Sequence, residues 1–325
     1  MKRSLGPELV ACAALGISGL AVASILSARG ELPAAQRLRP RAIARRLRPA
    51  RSGATVTAAR QLNRAAGTLA FSVLADSGVE HYRGSFKNKA MFTPLVVSAL
   101  TLGMSLHGTA DQRPLAHRTR DVTYLLAAAT GLLGSGFHIY NVGKRTGGFS
   151  WQNLFYGAPL GAPIAILLAG LLGFCSERVR DTSAGERPEI FGLPAARTIA
   201  AVTGAGLLGT TGEAGLLHFR GAYHNPFMAV PVTLPPLGAI LLGRVAAAGA
   251  AGRNQLARWW MRLLAAVGLA GVGFHAYGVS RNMGGWRNWS QNVLNGPPLP
   301  APPSFSALAM AGLAALGLME QHPDA

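Results

Sequence analysis

Four histidines, His81, His138, His218 and His275, each stand where a long apolar run ends. Imidazole at the ends of four separate helices suits axial ligation of b-type haem, a metal site, or hydrogen bonding to a quinone ring. Two of the four follow an acid by five residues: Asp76 precedes His81 and Glu213 precedes His218. Along a helix that spacing sets the carboxyl about 7–8 Å deeper than the imidazole, inside the apolar run. A carboxylate at such depth costs a few kcal/mol unless it faces protein or water or stays protonated, which suits it to proton exchange. Seven residues beyond the acids, Arg83 and Arg220 return to the acid's helical face, so one stripe carries acid below and guanidinium above. The intervening histidine is rotated about 140° off that stripe, and an acid–histidine relay within one helix does not follow.

His138 and His275 end their runs as His-x-Tyr, with Tyr140 and Tyr277 beside them, and Trp151 and Trp289 fall at the same level. For these aromatics alone, a belt at the membrane–water boundary is the better reading. As part of a site they would flank a bound cofactor.

The elements that must position these residues are apolar spans. Half of the 325 residues are hydrophobic and only 14% are charged, against about 25% in an ordinary soluble domain. Runs long enough to cross a bilayer recur at about 7–27, 62–82, 91–107, 119–141, 159–176, 198–219, 227–249, 258–280 and 304–319. The expected fold is an all-α integral membrane protein of about nine transmembrane helices.

The spans are not independent. A shift of 137 residues carries His81 onto His218 and His138 onto His275. The same shift lays Gly78, Arg83, Gly84, Asn88, Met91 and Pro94 on Gly215, Arg220, Gly221, Asn225, Met228 and Pro231. After short insertions, the stretch from Trp151 parallels that from Trp289. This predicts an N-terminal transmembrane helix with a basic linker at 1–60, then two tandem four-helix repeats at 61–193 and 198–325. Four crossings per repeat return the chain to its starting side, so the copies are parallel and their axis runs along the membrane normal. All four histidines then lie on one face.

With the linker after the first span taken as cytoplasmic, the inner segments hold 21 of the 31 basic residues. Positive-inside bias therefore predicts an inner-membrane protein with the N-terminus and the histidines outside and the C-terminus in the cytoplasm. The net charge of +18 is accounted for by these loops and by attraction to the lipid bilayer surface. Its densest run, Arg37 to Pro49, has two prolines and no aromatic side chain for stacking on bases, so no nucleic-acid partner is expected. Two cysteines without a Cys-x-x-Cys spacing support neither a thiolate metal site nor a disulfide framework.

These features predict the membrane subunit of a redox system. It would bind quinone or b-type haem at the extracytoplasmic face and take electrons from a peripheral partner dehydrogenase. His81, His138, His218 and His275 would contact the cofactor, with Asp76 and Glu213 exchanging protons. The layout of two parallel four-helix bundles is similar to that of quinol-binding anchors in polysulfide-reductase-type complexes, in layout alone. Two other classes stay open: a cation or metal transporter using the same acids and histidines, and a non-catalytic anchor for a partner.

Overall fold

The structure, a computed structural model, describes residues 53–183, 186–248 and 254–321. The first candidate span, 7–27, and most of the basic linker lie outside the described residues. Among the described residues the regular structure is helical except for one two-stranded antiparallel hairpin, β1 Glu189–Ile190 and β2 Leu193–Pro194.

In chain order the helices are α1 Gly53–Arg83, α2 Thr93–Ala110, α3 Arg118–Gly143, the short α4 Trp151–Tyr156, and α5 Gly161–Arg180. They are followed by α6 Ala195–Arg220, α7 Val230–Ala248, α8 Gln255–Arg281, the short α9 Trp289–Asn295, and α10 Pro303–Gln321. Single 3-10 turns lead into α2, α7 and α9.

Among the described residues, six segments are long and apolar enough to cross a membrane: Lys89–Ala110, Arg118–Gly143, Gly161–Arg180, Pro226–Ala247, Gln255–Arg281 and Pro303–Gln321. The protein is a membrane protein on that ground. The remaining long helices, α1 and α6, are less apolar for a visible reason. The first carries Arg60, Arg64, Asp76 and Glu80; the second is rich in glycine and threonine and carries Glu213.

Those two less apolar helices are central. Helices α1, α5, α6 and α10 pack on one another, α1 against α5 and α10 and α6 against the same two. Around this bundle, α2 lies on α1, α3 on α5, α7 on α6, and α8 on α10. The outer helices keep large apolar side chains exposed, such as Leu132 and Leu133 on α3 and Leu269 on α8. Inside, small residues let backbones approach closely. At Gly170 of α5 an added Cβ would sit 2.4 Å from the Ala128 nitrogen and 2.5 Å from the Tyr124 carbonyl oxygen of α3.

Several local contacts recur at fixed sequence intervals. Arg60 Nε donates to the Thr109 carbonyl at 2.7 Å, and Arg197 Nε donates to the Ala246 carbonyl at 2.6 Å. In the loop after α1, Ser85 and Phe86 take left-handed φ values of 57° and 45°; after α6, Ala222 and Tyr223 take 55° and 46°. Each such residue costs about 1–2 kcal/mol in backbone strain, which the surrounding contacts must offset. The longer loops contain the glycine pairs Gly147–Gly148 and Gly284–Gly285, all at positive φ. Buried Asn153 braces the first, donating to the Thr146 and Gly148 carbonyls at 3.0 and 2.7 Å. Asn292 braces the second, through the carbonyls of Met283 at 3.2 Å and Gly285 at 2.8 Å. The paired glycines thus serve turns tied down by an amide side chain.

Candidate functional site

The histidine end of the bundle is built from the C-terminal parts of α1, α3, α6 and α8. Each imidazole is half-buried, and each presents Nδ1 to a backbone carbonyl. His81 Nδ1 lies 2.6 Å from the Met91 oxygen and His218 Nδ1 lies 2.8 Å from the Met228 oxygen. His138 Nδ1 meets the Pro159 oxygen, and His275 Nδ1 lies 2.7 Å from the Pro298 oxygen. A carbonyl can only accept, so in all four rings Nδ1 holds the proton. In the neutral ring Nε2 then carries a lone pair. It can accept a hydrogen bond, take up a proton or ligate a metal, and the carbonyl anchor fixes ring orientation as it does for metal-bound histidines.

The four rings fall into two neighbourhoods, with His138 in electrostatic reach of His81 and His275 in electrostatic reach of His218. An aromatic side chain from the left-handed loop packs edge-on against the first member of each. Phe86 meets His81 and Tyr223 meets His218, both at 6.2 Å between centroids.

Asp76 and Glu213, from the two central helices, lie within electrostatic reach of one another. Glu213 is held at the start of α5, where its carboxylate takes backbone N–H bonds from Leu160 and Gly161. Gly161 allows that approach, since a Cβ there would stand 2.8 Å from Glu213 Cγ. A carboxylate suits this helix start because its N–H groups have no partner within the helix.

The arginines divide. Arg220 lies over the Tyr156 ring at 4.9 Å and within electrostatic reach of Glu213. Arg83 instead pairs with Glu80 at 2.7 Å, because an acid three residues away on the same helix is nearer than Asp76 two turns below. The stripe of acid and guanidinium expected from spacing is therefore intercepted on α1 by Glu80.

Tyr140, Tyr277, Trp151 and Trp289 are exposed on the rim. Lys144 lies over Tyr140 at 5.4 Å, Arg281 donates to the Tyr277 hydroxyl at 3.1 Å, and Trp151 stacks on Phe155 at 5.9 Å. Among the described residues, none of their ring or hydrogen-bond contacts is to a histidine. No group of three or more His, Cys, Asp or Glu side chains converges in metal-holding geometry among the described residues.

A second polar cluster, at the other end of the bundle, was not singled out from sequence. Arg120, Glu177 and Arg180 are fully buried there. Glu177 accepts from Arg120 Nε at 2.9 Å and from the His117 backbone N–H at 2.8 Å, with Arg180 Nε at 3.9 Å. Arg120 also reaches Asp111 at 2.9 Å, and donates to His107 Nδ1 at 3.3 Å. Arg180 closes the loop between α2 and α3 by donating to the carbonyls of Gly108, Asp111 and Arg113. Deeper in the same cluster, Asn63 donates to Ser176 at 2.9 Å and accepts from the Tyr124 hydroxyl.

Just outside the spans, burial raises the pKa of Asp111, but hydrogen bonds from Arg113 and Arg120 outweigh it and hold the carboxyl well below its usual range. Burial, then the charge of Arg120 and the neighbouring His107, hold the His117 imidazole below its ordinary value.

Set against known proteins, the chain matches no family, no curated protein and no solved structure.

Proposed function

We propose that this chain is the membrane subunit of a redox system that binds quinone, or b-type haem, between the histidine-bearing helix ends. In this reading it takes electrons from a peripheral dehydrogenase. The observation that carries the proposal is the common anchoring of four imidazoles, each held through Nδ1–H to a carbonyl with Nε2 left basic. Quinone reduction consumes two electrons and two protons per ring. The partner supplies the two electrons, and an imidazole protonated on Nε2 delivers one proton to each quinone oxygen in turn, being reprotonated between the two transfers. Asp76 and Glu213, close to one another at the centre, then replenish that proton. Quinone is favoured over haem because one ring needs a single basic nitrogen, whereas haem needs two imidazoles facing across one iron.

The chain is further proposed to consist of an N-terminal span and two parallel four-helix copies, at 61–193 and 198–325. Matched features support this: the carbonyl anchors, the left-handed loop residues, and the Asn braces of the glycine turns. Nine spans, an inner-membrane location, an extracytoplasmic histidine face and a cytoplasmic C-terminus complete the reading, supported by the distribution of basic residues.

The test is a reduced-minus-oxidised absorption spectrum of the purified protein, paired with quinone titration of its tryptophan fluorescence. A histidine-ligated haem band, or saturable quinone quenching, that disappears on His81→Ala with His218→Ala supports the proposal. A blank spectrum without quenching, together with stabilisation by added cations, refutes it in favour of transport.

A further inference from the structure

Each neighbourhood of histidines adjoins a corner where a first helix of one half meets a short helix of the other. The two corners differ. Where α6 ends, Phe155 of α4 stacks on Phe219 at 5.2 Å with the rings 16° from parallel, and Arg220 lies over Tyr156. That corner is closed by ring contacts. Where α1 ends, the positions answering to Phe155 and Tyr156 are Leu294 and Asn295 of α9. Neither residue carries a ring, and a cleft of about 580 Å³ opens between them and Tyr82, Arg83, Ser85 and Phe86.

The lining suits one class of ligand. Phe86 forms an aromatic wall, stacked on Phe92 at 4.4 Å and set edge-on to His81. Tyr82, Arg83, Ser85 and Asn295 offer hydroxyl, guanidinium and amide donors around it, and Leu294 supplies an apolar contact. A planar ring bearing oxygen substituents fills such a space with both faces on apolar groups and its oxygens on donors. The volume is within the roughly 300–1,000 Å³ of small-molecule sites.

Resting on the quinone reading above, we infer that this cleft is the single resting site of the quinone ring, one per chain, along the Phe86 ring that packs edge-on against His81. The answering corner at Phe219 is a closed structural joint. The left-handed φ values of Ser85 and Phe86 set Phe86 against His81 just as those of Ala222 and Tyr223 set Tyr223 against His218, so the opening of this corner comes from Leu294 and Asn295.

The purified full-length chain is titrated with a short-chain benzoquinone and a short-chain naphthoquinone, with stoichiometry read by equilibrium dialysis. One ring binds per chain. Leu294→Phe together with Asn295→Tyr, which installs the pair that closes the other corner, weakens binding at least tenfold. Phe155→Leu together with Tyr156→Asn opens the other corner and raises the stoichiometry to two. If the first pair fails to fold, the second pair alone decides. Two rings per wild-type chain, or binding to the wild type that neither pair of changes alters, overturns the cleft assignment while leaving the quinone reading intact. A wild-type chain that binds no quinone removes the quinone reading itself, and this inference with it.

Discussion

Replacing Glu177 with leucine tests how the buried ion cluster opposite the histidines is held. Glu177 is the acceptor for fully buried Arg120 at 2.9 Å and for the His117 backbone N–H at 2.8 Å, with buried Arg180 at 3.9 Å. Its loss leaves two guanidiniums in a low-dielectric interior with Asp111 as their remaining acid in the cluster. Breaking a buried pair in this way costs about 3–5 kcal/mol. Arg120→Met alone costs a similar amount, by stranding Glu177. Both changes together remove the charges as a unit, and Asp111 keeps Arg113 at 3.0 Å while Arg180 keeps its three carbonyls. The double variant leaves buried Arg180 and the His117 N–H without Glu177, so it stays destabilised by about 1–3 kcal/mol, well below the sum of the two single changes.

The apolar alternative is already built into the chain. The positions answering to Asn63, Arg120, Tyr124, Ser176, Glu177 and Arg180 hold Ala200, Ala257, Met261, Ala315, Leu316 and Met319, all buried. Reversible unfolding in mixed micelles, followed by tryptophan fluorescence, yields the double-mutant cycle. The expected coupling is several kcal/mol. Additive effects of the two single changes would refute the reasoning.

Gly170→Ala drives a methyl group into the backbone of α3 and destabilises the protein by about 1–3 kcal/mol, read in the same unfolding assay. Asn153→Ala and Asn292→Ala each leave a loop carbonyl pair without its buried donor and each cost about 1–3 kcal/mol, with similar values if the two turns are equivalent. The Asp111 carboxyl is lowered in the folded state, so its contribution is present above its unfolded value near 4 and lost as pH falls below that. Unfolding midpoints measured from pH 7 to pH 3 should thus fall at the acid end, and Asp111→Asn should make that fall shallower. Gly161→Ala drives a methyl group against Glu213 Cγ, 2.8 Å away, and destabilises the protein by about 1–3 kcal/mol in the unfolding assay.

The histidine end was legible in the sequence because its requirements are local. A histidine at the close of an apolar run, followed by a loop of fixed length, is enough to bring Nδ1 to the carbonyl of Met91 or Met228. Spacing also brought out Asp76 and Glu213. It could not foresee Glu80 capturing Arg83, since Glu80 answers to Leu217 and has no repeated partner. Tyr140, Tyr277, Trp151 and Trp289 turn outward, as the belt reading of the aromatics has it; their composition alone does not separate that rim from a cofactor pocket.

The buried ion cluster was concealed for a different reason. Arg120, Glu177 and Arg180 stand at helix ends in basic segments, where positive-inside bias already explains a cation. A comparison that rewards recurrence passes over residues whose counterparts are apolar. Only the packing of α3 on α5 brings them together.

The most direct measurement is an electron paramagnetic resonance spectrum of the purified chain, poised at partial reduction with quinone present. A radical with nitrogen hyperfine coupling from an imidazole, lost on His81→Gln, is the predicted result; low-spin histidine-ligated iron lost with the same change would support the haem form. A silent spectrum, or a radical without nitrogen coupling, contradicts the account.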